Sequence, residues 1–102
     1  MESVDLSLIS NEDFAELLNK EFRIQFEENV ILDSELIEIT VFKNYSPLTR
    51  SPFSLIFRTF QKEKYYPQGV FNIIHPTLGV LSVFMVPKGF DSEGMRYEVV
   101  FS

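Results

Sequence analysis

Few side chains in this chain have the chemistry of a catalytic group, and the single histidine, His75, is the first to consider. A histidine that acts as a general base needs a nucleophile and an orienting acid within hydrogen-bond reach. Ser82, Asp91 and Ser92 supply those residue types, but their spacing gives no reason to expect them beside His75. His75 also directly precedes Pro76, so we expect its ring to hydrogen-bond the backbone of a turn. The sequence therefore predicts no catalytic residue and a protein that is not an enzyme.

Paired carboxylates are the second feature that could do chemistry, as an acid and a base or as ligands of a divalent cation. Glu27 and Glu28 would point to opposite faces of a strand. Glu12 and Asp13 suit the first turn of a helix, where the helix dipole favours negative charge. The segment 91–94 lacks the alternating carboxylates of a calcium loop. Because the sequence also has no cysteine, we predict no metal site and no cofactor.

Bases and aromatic residues alternate in the segment 58–66, a pattern typical of surfaces that bind single-stranded nucleic acid. Phosphate contacts dominate the affinity of such surfaces, whereas this chain has a net charge of −6. Residues 1–38 hold 11 acids against 2 bases, and residues 39–102 hold 4 acids against 7 bases. We therefore do not expect nucleic acid as a partner. The charge asymmetry either orients another partner or only solvates the acidic faces.

The length of the chain, 102 residues, predicts a single domain over residues 1–102. Eleven phenylalanines and four tyrosines, with no tryptophan, indicate a core built on rings. No apolar run approaches the roughly 20 residues of a membrane-spanning helix. The first residues carry acids where a secretory signal would carry bases. We therefore expect a cytoplasmic protein without a membrane partner.

The N-terminal part of the chain predicts an extended lead-in over residues 1–9 and one α-helix over residues 10–20. Ser10 offers its hydroxyl as the N-cap. The helix is too short to be stable alone, so it must dock by an apolar stripe. The residues of that stripe are Phe14, Leu17 and Leu18.

Residues 21–102 predict antiparallel β-strands, because apolar and polar residues alternate there. The first strand begins at Glu21. A turn at Asp33 and Ser34 is expected to lead into a second strand over Leu36–Lys43, and Asn44–Pro52 is the clearest loop. The residues expected to face inward on these two strands are Phe22, Ile24 and Phe26, then Ile37, Ile39 and Val41.

The second half of the chain predicts four more strands. The third spans residues 52–60, and a charged loop follows over Gln61–Gly69. A hairpin turns at residues 75–79, where Pro76 presets one backbone angle and Gly79 can adopt a left-handed conformation. Residues 87–94 predict a second loop before the last strand. The inward residues are Phe53, Leu55 and Phe57, then Phe71 and Ile73 facing Leu81, Val83 and Met85, and finally Tyr97, Val99 and Phe101.

Six short strands with regularly spaced turns predict an α+β, mainly β fold: a six-stranded antiparallel barrel or roll with one N-terminal α-helix. The connections are too short for helical crossovers between parallel strands. Several outward positions are nevertheless apolar, and either the helix and N-terminal arm or another subunit covers them. These positions are Ile56, Val70, Ile74, Phe84, Val86 and Val100.

Four segments of the chain carry a resemblance to a known group of proteins: FSLIFR at 53–58, PQGVFNIIHPTLG at 67–79, FMVP at 84–87 and MRYEVVFS at 95–102. With them, the chain resembles a small bacterial family of uncharacterised domains that is loosely associated with gene clusters for phage-tail-collar-like proteins. The resemblance implies an adaptor, assembly or structural role and supplies no catalytic residues.

The function that the sequence predicts is a non-enzymatic protein-interaction or assembly domain that binds a protein partner or a second copy of itself. The alternative is a β-barrel whose phenylalanine-rich interior holds a small apolar molecule. The candidate contact residues lie on the outer apolar face and in the loop before the hairpin. They are Ile56, Phe60, Tyr65, Tyr66, Phe84 and Val86.

Overall fold

The computed structural model describes residues 6, 9–42 and 52–101, and its strands form a closed antiparallel barrel of six strands. The order around the barrel is β1-β2-β3-β6-β5-β4, and β4 pairs with β1 to close it. The predicted fold class is confirmed, with a barrel rather than an open roll. Most of the predicted lead-in and of the predicted loop Asn44–Pro52 lies outside the described residues. The elements are α1 (Glu12–Ala15), β1 (Glu21–Glu27), β2 (Val30–Val41), β3 (Phe53–Thr59), β4 (Gly69–His75), β5 (Gly79–Phe90) and β6 (Met95–Phe101).

The helix α1 has four residues, so the prediction of a helix over residues 10–20 was too long. After the helix, the chain continues as a series of turns up to Asn19. The φ of Asn19 is 66°, a left-handed conformation that asparagine tolerates well. The predicted Ser10 hydroxyl cap was also wrong. Asn11 is the N-cap, and the Asp13 carboxylate accepts a hydrogen bond from the Ser10 backbone N–H at 2.9 Å. This bond ties the residue before the N-cap to the first turn, and among the described residues no side chain caps the helix itself.

The turn between β1 and β2 lies at Glu28 and Asn29, so the predicted turn at Asp33 and Ser34 was wrong. Ser34 instead pairs with Phe22 inside the barrel wall. Its side chain is buried, and its hydroxyl donates to the Phe22 carbonyl at 3.2 Å. A small polar residue is tolerated there because its hydrogen bond is made within the wall.

A β-bulge between Leu36 and Glu38 changes which residues of β2 face the core. Leu36 is fully buried, whereas Ile37 and Ile39 are half-buried and Val41 is exposed. Ile39 packs against the core as predicted, but Ile37 and Val41 were wrong, because Leu36 is the buried residue before the bulge and Val41 is largely exposed. The extra residue of a bulge reverses the alternation of side chains beyond it, and the sequence carries no sign of it here.

The strand β5 runs through to Phe90, so the predicted loop over residues 87–94 is shorter than expected. A bulge between Pro87 and Gly89 accommodates the proline, and Gly89 takes a φ of 114°. The turn that remains is held by Asp91. Its carboxylate oxygen Oδ1 accepts from the backbone N–H groups of Glu93 at 2.8 Å and Gly94 at 2.9 Å.

The hairpin of β4 and β5 has the predicted turn, with Gly79 at a φ of 91°. Phe71 pairs with Val83 and Ile73 pairs with Leu81. The other predicted inward residues of β1, β3 and β6 are also confirmed as buried. They are Phe22, Ile24, Phe26, Phe53, Leu55, Phe57, Tyr97, Val99 and Phe101.

One end of the barrel, called the plugged end here, is closed by Phe14 of α1. Its ring is fully buried, with centroids 6.4 Å from Phe22, 6.0 Å from Phe53 and 5.9 Å from Phe101. The hairpin turn at residues 75–79 lies at the same end. The opposite end, called the loop end, carries the turn at 28–29, the segment 60–68 and the turn at 91–94. The helix thus fills the barrel rather than covering its outer face.

Candidate interaction surface

Three apolar side chains lie in a row across the outside of β4, β5 and β6. Val70 pairs directly with Phe84, and Val100 follows Val99, the partner of Met85, so it lies next to Phe84 on the outer face. The three are 67%, 52% and 58% exposed respectively. We call Val70, Phe84 and Val100 the outer row.

Polar pairs flank the outer row on both sides. The next outward pair along the hairpin is Asn72 and Ser82, whose hydroxyl donates to the Asn72 side-chain oxygen at 2.6 Å. In the other direction, Glu98 lies beside Val86 and 3.8 Å from the Lys88 ammonium. An apolar centre with a polar rim is the usual arrangement of a protein–protein contact.

The structure separates the six predicted contact residues into two groups. Phe84, Phe60 and Tyr65 are exposed, and Val86 is half-buried. Ile56 is only 8% exposed and offers almost no surface to a partner. It lies between Glu38 on β2 and Glu98 on β6, whose long aliphatic stems can cover it.

Tyr66, the sixth predicted contact residue, anchors the segment 60–68 to the loop end. Its ring stacks on Phe26 with centroids 4.5 Å apart and planes 7° apart. Its hydroxyl donates to the Glu27 carboxylate at 2.9 Å, a bond that raises the pKa of Tyr66. Its backbone N–H donates to the Tyr97 hydroxyl at 3.0 Å. Most of its bonding capacity is therefore used inside the domain.

A buried hydroxyl network holds the start of the same segment. The hydroxyls of Tyr97 and Thr59 donate to the Gln61 side-chain oxygen at 2.7 and 2.9 Å. Burial raises the pKa of Tyr97. With Gln61 and Tyr66 fixed, the residues between them form a bridge over the loop end. Tyr65 points outward from that bridge, edge-on to Phe90 at 6.2 Å.

Arg58, the first base in the segment 58–66 that resembles a nucleic-acid-binding pattern, forms ion pairs with three carboxylates. Its guanidinium lies 3.1 Å from Asp91, 3.3 Å from Glu35 and 3.0 Å from Glu93. The pKa of Asp91 lies below its ordinary value, first because of the backbone N–H of Glu93 and also because of Arg58. Lys62 donates to the Ser92 carbonyl at 3.3 Å. These bases therefore tie the segment to the neighbouring turn.

The wall of the barrel is incomplete beside β2 at the loop end. β3 ends at Thr59, paired with Ser34, while β2 continues to Val30. The segment 60–68 diverges there, leaving an open groove of about 600 Å³ between the two. The residues that line it are Val30, Leu32, Gln61, Lys62, Glu63, Lys64, Tyr65 and Tyr66. We call it the rim groove.

Sequence reasoning missed the β2 side of the rim groove. The apolar run Val30-Ile31-Leu32 was present, but it directly preceded the expected turn at Asp33 and Ser34 and was given no role. Valine and isoleucine are enriched in strands, so this short run was the signal that could have been used. The structure thus adds Val30 and Leu32 to the residues that could meet a partner.

His75 supports the hairpin turn, as predicted. Its ring nitrogen Nδ1 accepts from the backbone N–H groups of Thr77 at 3.1 Å and Leu78 at 3.2 Å. The neutral ring therefore carries its proton on Nε2. Burial lowers the pKa of His75, and the Phe22 ring lies 4.8 Å away, centroid to centroid.

The other residues considered for catalysis do not meet His75. Ser82 is bonded to Asn72 on the outside of the hairpin, and Asp91 and Ser92 lie in the turn at the loop end. Among residues 6, 9–42 and 52–101, no three His, Cys, Asp or Glu side chains are grouped so that they could hold a metal ion. In that same part of the chain, no helix is long and apolar enough to cross a membrane.

Comparison with known proteins gives a match to a protein-family model. The model of the domain of unknown function DUF6916 matches residues 9–101, which includes all six strands. Neither the curated proteins nor the solved structures contain a match to the chain. The match extends over the whole barrel and its plug, and the resemblance to an uncharacterised domain family agrees with it. The chain therefore belongs to the DUF6916 family of domains of unknown function.

Proposed function

We propose that this domain is a non-enzymatic protein-interaction module that docks a protein partner on the outer row. The observation that carries the proposal is the exposure of Val70, Phe84 and Val100 side by side on three neighbouring strands. Single exposed apolar residues are ordinary on a protein surface, whereas contiguous ones mark contact sites. An aromatic residue at the centre of such a patch is a typical binding hot spot.

The rigidity of the outer row supports the same function. Its three side chains stand on paired strands of a closed barrel, so they need little ordering when a partner binds. The contact would bury an aromatic ring between two valines and leave the Asn72–Ser82 and Lys88–Glu98 pairs at the rim. A partner surface with an apolar centre fits this arrangement.

The experiment that tests this function compares two charge substitutions in a pull-down from lysate of the source organism. Phe84→Glu places a carboxylate at the centre of the outer row, whereas Leu18→Glu places one on a separate apolar position that is 39% exposed. We expect Phe84→Glu to lose a partner that wild type and Leu18→Glu both retain at near-equal stoichiometry.

Two controls keep the comparison decisive. Circular dichroism must show that Phe84→Glu is folded, and Val100→Lys provides a second disruption of the outer row on a different strand. If both folded variants keep the partner, the outer row is not the contact. Light scattering on the same proteins distinguishes a second copy of the chain from a different partner.

The alternative function, a barrel that encloses a small apolar ligand, has less support from the geometry. The described interior is packed ring against ring, with Phe22 and Phe57 centroids 5.1 Å apart and Phe14 closing the plugged end. An enclosed ligand would have to displace these rings. Native mass spectrometry of the purified protein tests this, because a retained ligand adds a defined mass.

The biological setting of the proposal comes from the resemblance alone. An adaptor or assembly role beside phage-tail-like components in the cytoplasm would make the partner a structural protein of that kind. The pull-down tests this setting as well, since it identifies the captured protein. An unrelated partner would leave the docking surface in place and refute the setting.

A further inference from the structure

The open edge of β2 at the rim groove offers a second kind of binding. Residues 30–33 pair with β1 on one side, but β3 stops at the Ser34–Thr59 pair on the other. Within the described part of the chain, no strand continues along that second side. A strand edge of this kind exposes backbone donors and acceptors that an added strand can use.

The hydrogen-bonding direction of each β2 residue follows from Leu36. Its N–H donates to the Lys20 carbonyl at 3.1 Å, and its carbonyl accepts from the Asn19 N–H at 2.6 Å, so its backbone groups face the β1 side. The β1–β2 register is regular between Ser34 and Ile31. Because backbone groups alternate along a strand, those of Ile31 face the open edge.

The side chains along this edge alternate in the same way. Val30 and Leu32 are half-buried, pack against the core and line the rim groove, whereas Ile31 and Asp33 are exposed. A strand added at this edge would therefore place every second side chain over Val30 and Leu32. An apolar side chain fits there, because the groove wall at that point is aliphatic.

The charges of the rim groove select the neighbouring residues of the added strand. Lys62 and Lys64 line the groove against the single acid Glu63, and the exposed Asp33 of the open edge is paired with Arg23 at 3.6 Å. Lys64 is exposed, whereas Lys62 already bonds to the Ser92 carbonyl. An acidic residue next to the apolar one therefore complements the groove.

We propose that the open edge of β2 at residues 30–33 binds an extended acidic–apolar peptide segment of a partner protein as an added β-strand. The segment restores the barrel wall where β3 ends. It bonds to the backbone of Ile31, places an apolar side chain over Val30 and Leu32, and presents an acid to Lys64. This site is separate from the outer row, so the two can succeed or fail independently.

The test uses a displayed library of random octapeptides, followed by fluorescence polarisation with the enriched peptides. We expect enrichment of alternating apolar and acidic residues. In labelled protein, the amide signals of Ile31 and Asp33 should shift on titration, while those of the outer row stay in place. A library without enriched peptides, or shifts that map to Phe84, would overturn the proposal.

A matched pair of substitutions isolates the backbone contact. Ile31→Pro and Ile31→Thr both remove the isoleucine side chain, but only the proline removes the N–H. Because that N–H faces away from β1, the proline breaks no bond of the β1–β2 ladder. We expect about tenfold weaker peptide binding in Ile31→Pro than in Ile31→Thr. Equal affinities would refute strand addition.

A scan of the peptide itself keeps the test valid if Ile31→Pro does not fold. Methylating one peptide amide at a time should weaken binding at alternate positions only, because an added strand bonds through every second residue. Equal effects of methylation at every peptide position would refute the proposal. Phe84→Glu should bind the peptides unchanged. If Ile31→Pro instead converts a dimer to a monomer, the occupant is a second copy and the peptide partner is refuted.

Discussion

Replacing Phe14 with alanine should be among the most destabilising single changes in the domain, because this side chain closes the plugged end. The ring is fully buried and lies within 6.4 Å, centroid to centroid, of three other phenylalanines. The four-residue helix that carries it has almost no stability of its own. Phe14→Ala therefore removes the main contact that docks α1 on the barrel.

The expected size of this effect follows from the cavity that the substitution creates. Truncating a buried phenylalanine to alanine costs about 3–5 kcal/mol. A domain of this size has a total stability of about 5–15 kcal/mol, so Phe14→Ala removes a large fraction of it. The melting temperature should fall by more than about 10 °C.

The assay is urea unfolding followed by far-ultraviolet circular dichroism, with Leu18→Ala as the matched control. Leu18 belongs to the same predicted stripe but is exposed, so its truncation should cost less than about 1 kcal/mol. A Phe14→Ala variant within about 1 kcal/mol of wild type would refute the interpretation of α1 as a plug. It would mean that the barrel closes on its own rings without the helix.

Two further predictions concern the turns at the two ends of the barrel. Gly94→Ala would direct a Cβ onto the Thr59 carbonyl oxygen, so it should destabilise the domain by at least about 2 kcal/mol in urea unfolding. The control, Gly69→Ala, places its Cβ 3.3 Å from the Phe71 ring and should cost less. Equal losses of stability in the two variants would contradict the close approach of Gly94 to Thr59. At the plugged end, the pKa of His75 is lowered by burial, so the folded state favours the neutral ring that accepts from Thr77 and Leu78. The stability this provides is complete above the unfolded pKa of 6.5 and is lost as the pH falls below it. Between pH 7 and pH 5.5, wild type should therefore lose more stability than His75→Gln, and parallel losses would count against the role of the ring.

Local alternation was enough to predict which residues of three strands face the core. β1, β3 and β6 have inward residues at every second position, and the hairpin turn is marked by Pro76 and Gly79. These features depend on neighbours in the sequence, so they can be recognised without the fold. The family match over residues 9–101 is also a property of the sequence alone.

The bulges and strand lengths could not be predicted, because they depend on the partner strand. The bulge after Leu36 changes the buried face of β2, and the bulge at Pro87 lets β5 continue to Phe90. Ser34 was predicted as a turn residue from its type, whereas in the structure its hydroxyl donates to the Phe22 carbonyl on the neighbouring strand. In each case, the deciding contact joins residues on two different strands.

The candidate surfaces likewise combine features that the sequence predicts with features that only the structure shows. The sequence by itself determined that outward positions of the hairpin and last strand, such as Val70, Phe84 and Val100, are apolar, because alternation assigns each side chain to a face. Only the tertiary structure decided that Ile56 is buried between β2 and β6, and that Tyr66 anchors a loop. It also decided that the edge of β2 at residues 30–33 is open, because this depends on where the neighbouring strand β3 ends.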